Sequence, residues 1–169
     1  MPNEIHGGAS GLSFWTADSG ESTSKIALAL NTLLADLFTL YFKTKNFHWH
    51  MSGPHFRDYH LLLDEQAKEI LATTDPIAKR VRKLGGATLR SVQHVSRLAR
   101  LDSNEADFVG PTLMLAELRG DNEQLIGFMR DAHFVCGAYD DLATMSLLEN
   151  CIGEGEKRAW FLFECGREA

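Results

Sequence analysis

Four histidines and two of the three aspartates between residues 45 and 75 could bind a metal, in a stretch that is otherwise typical of amphipathic helix. The six side chains are His48, His50, His55, His60, Asp64 and Asp75. A set of imidazole and carboxylate ligands suits Fe(II), Zn(II) or Mn(II). One Ser-Gly-Pro break at 52–54 divides the stretch, so these side chains can project from two consecutive helices. The stretch therefore predicts a metal site.

The spacing of these residues limits how such a site can be built. His60 and Asp64 are four residues apart, which places them on one face of a helix, although the same spacing is also typical of a surface ion pair. Asp75 follows Asp64 by eleven residues, so it faces nearly the same direction about 16 Å farther along. One ion therefore cannot contact both aspartates of one chain.

A second copy of the same helix would bring the separated ligands together. If two copies lie antiparallel across a two-fold axis near Lys68, the partner's Asp75 faces His60 and Asp64, and two equivalent sites form. His48, at the end of the preceding helix, can fold back across the break as a further ligand. We therefore predict an intersubunit metal site, with His50 and His55 in solvent.

Apolar residues at helical spacing predict the elements that position these ligands. Long helices are expected over 24–50 and from Pro54 to Leu84, a short helix over 91–98, and two more long helices that begin at Pro111 and near Leu142. The predicted core stripe of the last helix is Leu142, Met145, Ile152, Ala159, Trp160 and Phe163. The fold class is all-α, a four-helix bundle with a short extra helix in the long crossover between the second and third helices.

Composition excludes several classes of protein. A length of 169 residues suits one domain, here 23–169 after a flexible arm over 1–22. The net charge of -6 disfavours nucleic-acid binding, and three cysteines without a CxxC motif predict neither a disulfide framework nor a zinc knuckle. Without a signal-like N-terminus or an apolar run of about 20 residues, we expect a cytoplasmic protein and no membrane insertion.

The motif Lys45-x-x-His48-Trp49-x-x-x-Gly53-x-x-Phe56-x-x-x-His60-x-x-x-Asp64 resembles the Dps family, the mini-ferritins of the ferritin-like superfamily. The resemblance continues through Asp75, the end of the second helix at 80–86 and Trp160, and it covers residues 24–165. It implies a ferritin-like bundle assembled from two-fold dimers into a hollow dodecamer. It also implies oxidation of Fe(II), preferentially by hydrogen peroxide under oxidative stress, with storage of ferric mineral and no organic cofactor.

The resemblance assigns roles to individual residues. His48, His60 and Asp64 of one subunit and the partner's Asp75 would bind iron. Trp49 would otherwise be assigned to the core. With Trp160 it would intercept stray oxidising equivalents, or both would simply pack at a subunit boundary. Asp140 and Asp141 would line an iron entry pore, or else cap the last helix. The arm carries no Lys or Arg before Lys25, so DNA binding is disfavoured.

Lys79 departs from the family pattern, which has a carboxylate one turn after Asp75. An ammonium group repels a second cation and does not ligate while protonated. Three outcomes follow: one occupied metal position, a salt bridge from Lys79 to Asp75 or Asp64, or Lys79 turned away. We expect weakened, asymmetric metal binding with slow oxidation. The alternative is a structural or DNA-protecting cage with a disabled ferroxidase centre.

Overall fold

Five helices account for most of the chain in the structure, a computed structural model that describes residues 20–167. They are α1 (Gly20–His50), α2 (Phe56–Lys83), α3 (Val92–Leu98), α4 (Pro111–Gly137) and α5 (Leu142–Cys165). α1 packs against α2, α3 and α4, and α5 packs against α4 and α2. This confirms the predicted four-helix bundle with a short crossover helix. Residues 1–19 of the expected arm lie outside the described residues, and α1 already begins at Gly20.

The core is built around α1. Its buried leucines are Leu30, Leu33, Leu34, Leu37 and Leu40, and they form one cluster with apolar side chains of α2, α4 and α5. Each side chain of this size contributes about 1.5–3 kcal/mol when it is removed from water. By length and composition α1 also meets the criterion for a membrane span, a test that core helices of soluble proteins pass as well, and half of that window is buried in the bundle.

A buried carboxylate fixes the crossover segment to α1. Asp36 is fully buried and accepts hydrogen bonds from the backbone N–H groups of Arg100 (2.6 Å) and Leu101 (3.2 Å). The Arg100 guanidinium pairs with the same carboxylate at 2.6 Å and lies 3.7 Å from the centre of the Phe128 ring. The loop after α3 is therefore tied to two helices of the bundle.

The prediction for the buried face of α5 is only partly right, because Met145 and Ile152 pack half-buried against the core but the larger predicted side chains do not. Leu142, Trp160 and Phe163 are exposed, Trp160 to 60%, whereas the buried positions are Thr144, Leu148, Cys151, Gly155, Arg158 and Leu162. Close packing on α4 explains the difference, because a Cβ atom at Gly155 would lie only 3.0 Å from Ile126 Cγ1. The side of α5 with small residues therefore faces α4, and its aromatic side is left outside.

The start of α5 is tied to the end of α2. The Asp141 carboxylate accepts a hydrogen bond from the Thr144 N–H at 3.1 Å, as a helix N-cap does, and another from the Thr144 hydroxyl. It also pairs with the Arg80 guanidinium at 2.5 Å. Asp141 thus caps α5, as one of its two sequence interpretations required, while Asp140 is exposed beside it.

Candidate metal half-site

A tight turn between α1 and α2 brings His48 next to His60. Gly53 adopts a φ of +96°, a left-handed conformation that favours glycine, and its carbonyl accepts a hydrogen bond from the Phe56 N–H at 3.0 Å. The chain therefore reverses within five residues. As a result, the last turn of α1 lies beside the first turn of α2, as predicted for the fold-back of His48.

The two imidazoles are held by a reciprocal pair of hydrogen bonds. His48 Nδ1 lies 2.8 Å from the His60 carbonyl, and His60 Nδ1 lies 2.9 Å from the His48 carbonyl. The rings stack with their centroids 3.8 Å apart. Because a carbonyl only accepts hydrogen bonds, each Nδ1 carries the hydrogen, and in the neutral ring Nε2 keeps its lone pair. Backbone carbonyls fix metal-binding histidines in this same tautomer.

Asp64 lies beside this histidine pair and is held by two lysines. Its Oδ1 is 4.0 Å from His48 Nε2 and 2.9 Å from Lys45 Nζ, and its Oδ2 is 2.7 Å from Lys68 Nζ. Hydrogen bonds from Lys68 and then Lys45 hold the pKa of Asp64 well below its usual range. The carboxylate is therefore ionised at any pH at which the protein would bind a metal.

Asp75 is far from this group in the same chain and forms its own ion pair. Its Oδ2 lies 2.6 Å from Lys79 Nζ, which is the ion pair that one of the three outcomes for Lys79 requires. α2 continues through Pro76, which keeps Asp64 and Asp75 about 16 Å apart along one helix. Within residues 20–167, no three His, Cys, Asp or Glu side chains converge to hold a metal ion. Within the described residues of one chain, the predicted ligands therefore lie in two separate places.

The aromatic side chains near the histidines are exposed rather than buried. Trp49, assigned to the core by its type, is 57% exposed; its ring contacts Phe42 edge to face and lies 5.9 Å from Lys45 Nζ. Phe56 is also exposed, with its ring 5.0 Å from that of His60. Exposed aromatic groups thus surround the histidine pair.

Three other predicted residues lie away from the half-site. His50 is exposed and bonds through Nδ1 to the carbonyl four residues earlier, and His55 is exposed next to a tyrosine ring. Trp160 is exposed on α5, where its ring contacts Phe161. Sequence reasoning missed the contact of Lys68 with Asp64, although their i, i+4 spacing is a signal for such a pair.

Comparisons with known proteins agree with this architecture. A model of the ferritin-like domain family matches residues 27–165. The chain is 39% identical to a low temperature-induced protein of Nostoc sp., over 79% of this chain and 75% of that protein. It is 30% identical to the DNA protection during starvation protein of Brevibacillus brevis, over 81% of this chain and 91% of that protein.

A solved structure extends the comparison to three dimensions. The Dps protein of Vibrio cholerae O1, described as a member of a broad superfamily of ferritin-like diiron-carboxylate proteins, superimposes with a TM-score of 0.82. The match covers 87% of this chain and 92% of that one, at 25% identity. The chain therefore belongs to the Dps family of the ferritin-like superfamily.

Proposed function

We propose that this protein binds and oxidises Fe(II) at sites completed by two subunits and stores ferric iron inside a hollow dodecamer. The observation that carries the proposal is the reciprocal hydrogen bonding of His48 and His60. Because both Nδ1 atoms are bound to backbone carbonyls, both Nε2 lone pairs are available to a metal, next to the ionised Asp64. Nitrogen and carboxylate donors with positions left open for substrate suit ferrous iron.

The partner's Asp75 would complete each site, as the helical spacing of the ligands requires. Support comes from large apolar side chains that are exposed on α1 and α2, which include Phe42, Trp49, Phe56, Leu61 and Leu71. Exposed apolar side chains of this size are typical of surfaces that bind another protein. A second copy of α2 lying antiparallel on this surface would cover it and carry its own Asp75 to the histidine pair.

The reaction consumes peroxide without releasing hydroxyl radical. Two ferrous ions each give up one electron, and hydrogen peroxide takes up both electrons and two protons to form two waters. The histidines and Asp64 of one chain, with the partner's Asp75, would hold the iron that supplies these electrons. Trp49, exposed beside Lys45, would supply an electron to an oxidant that escapes this two-electron path.

A second candidate is a structural or DNA-protecting cage with a disabled centre. It is favoured by the ion pairs that occupy both ligand carboxylates, Asp64 with two lysines and Asp75 with Lys79. Direct DNA binding is opposed by the net charge of -6 for each chain. We accordingly expect no mobility shift with duplex DNA at physiological salt. For either candidate we expect a cage in the cytoplasm.

The deciding experiment is anaerobic loading of the assembled protein with Fe(II), followed by one equivalent of peroxide for every two ferrous ions. Ferric absorbance should rise faster than in buffer alone, and His60→Ala should lose most of that gain. His50→Ala is the matched control, because it removes an exposed imidazole from the same region. A wild-type rate equal to that of buffer would favour the disabled cage, and size-exclusion mass distinguishes either cage from a monomer.

A further inference from the structure

Both oxygens of the Asp64 carboxylate are already occupied by cations of the same chain. Lys68, one turn later on α2, lies 2.7 Å from Oδ2, and Lys45 reaches Oδ1 from α1 at 2.9 Å. The two ammonium groups come from different helices and bind different oxygens. Each oxygen of the Asp64 carboxylate therefore already forms an ion pair with a lysine.

Of the two lysines, Lys45 is the less exposed to solvent. Its side chain is 18% exposed, against 76% for Lys68, and its ammonium also lies over the Trp49 ring. A partly buried ion pair is screened less by water and salt than an exposed one. Lys45 is thus the stronger competitor for Asp64.

The atoms that would bind a metal show where this competition takes place. His48 Nε2 is 4.0 Å from Asp64 Oδ1, the same oxygen that Lys45 holds. Metal–ligand bonds of about 2.1 Å at a right angle place two donor atoms about 3.0 Å apart. Joining these two donors to one ion therefore requires a shift of roughly 1 Å, which draws Oδ1 towards His48 and loosens its contact with Lys45.

We propose that Lys45 and Lys68 act as exchangeable cations on Asp64, which must be displaced when a metal binds and which therefore set the affinity of the site. The cost of that displacement is the same for every divalent ion and lowers all affinities. An ion that also gains imidazole nitrogen, such as Fe(II) or Co(II), recovers this cost. Mg²⁺ and Ca²⁺ prefer oxygen ligands and gain little from the histidines, so with both lysines present they bind too weakly to compete. The lysines thus set how tightly ions bind, whereas the preference among ions comes from the histidines. The inference rests on the proposed function in taking Asp64 as a ligand.

The test compares Lys45→Met, Lys68→Met and the double variant with the wild type in the assembled protein. Methionine keeps an unbranched apolar side chain and removes the charge. Binding of Co²⁺ is measured by calorimetry and by its visible absorbance, and Mg²⁺ is then added as a competitor. We expect Co²⁺ to bind about two- to fivefold more tightly in Lys68→Met, as for an exposed ion pair, and about tenfold more tightly in Lys45→Met. Mg²⁺ should compete measurably only in the double variant.

Lys25→Met is the matched control. It removes an i, i+4 ion pair of the same type, with Glu21, and the same charge, but lies about 30 Å from Lys45 along α1. Circular dichroism and size-exclusion mass verify that each variant folds and assembles. Unchanged or weaker Co²⁺ binding in both Lys68→Met and Lys45→Met, with native spectra and mass, would overturn the proposal.

Failure of the lysine proposal can be told apart from failure of the iron site. If the wild type binds Co²⁺ and His60→Ala does not, but the lysine variants match the wild type, only the role of the lysines is refuted. If the wild type neither binds Co²⁺ nor oxidises Fe(II) while the lysine variants bind Co²⁺, displacement is supported and the proposed activity of the natural sequence is refuted.

Discussion

Replacing Lys79 with glutamate should accelerate iron oxidation. Lys79 Nζ lies 2.6 Å from Asp75 Oδ2, and both side chains are mostly exposed, at 68% and 65%. In the proposed dimer this pair faces the histidines of the partner. The substitution removes a cation from beside a ligand and restores the carboxylate that the family pattern has one turn after Asp75.

The exposure of the pair sets the size of the effect. A divalent ion and a unit charge about 4 Å apart in bulk water interact by about 2 kcal/mol, and the change from +1 to -1 alters that interaction twice. Metal binding should therefore strengthen by at most about 4 kcal/mol, or roughly a thousandfold. Lys79→Gln removes the positive charge without adding a ligand, so its expected effect is about half as large in free energy.

Stopped-flow ferric absorbance after anaerobic Fe(II) loading measures the rate, and Co²⁺ titration measures the affinity. Lys83→Glu makes the same charge change one turn farther along α2 and serves as the control for a general electrostatic effect. Equal acceleration by Lys83→Glu would show that Lys79 acts only through net charge. An unchanged rate in Lys79→Glu would mean that this position lies outside the site.

Two further predictions concern the fold. Asp36→Ala should lower the free energy of unfolding by about 3 kcal/mol, because Arg100 and two backbone N–H groups lose their acceptor. Urea titration at fixed protein concentration measures this free energy. A loss below about 1 kcal/mol would contradict the prediction. Burial raises the pKa of all three thiols, to about 11 for Cys136 and Cys151. Because Cys165 alone of the three is partly exposed, iodoacetamide at pH 8 should modify Cys165 first in the native protein and all three after unfolding. Prompt native labelling of Cys136, followed by mass spectrometry, would show that the bundle opens there.

Local sequence signals predicted the helix boundaries well because the residues that end helices act locally. The Ser-Gly-Pro break placed the end of α1 at His50, and Pro111 placed the start of α4, since proline is favoured in the first turn. The crossover helix was likewise expected within one residue of its observed start at Val92. None of these boundaries depends on a distant contact.

The orientation of α5 could not be predicted in the same way. Hydrophobic periodicity favours the side with the larger apolar residues, which here includes Trp160 and Phe163. The observed buried side is set instead by the close approach of Gly155 to α4 and by Arg158, whose Nε donates to Asn122 Oδ1 at 3.0 Å in the interior. Only Nε of this guanidinium has a hydrogen-bond partner among the described residues, and that partner, on another helix, is not encoded in the local pattern.

The candidate metal half-site depends both on local helical spacing and on contacts that only tertiary structure makes. The i, i+4 rule that placed His60 and Asp64 on one face also pairs Asp64 with Lys68, so one local pattern produces a ligand and its competitor together. Lys45 joins them only because the turn at Gly53 lays α1 against α2. The positions of the proposed ligands thus follow from helical spacing, whereas the proposed control of metal affinity involves lysines from two helices. Metal binding by this chain should accordingly respond more strongly to Lys45, which tertiary structure brings to the site, than to Lys68, which is supplied by the helix itself.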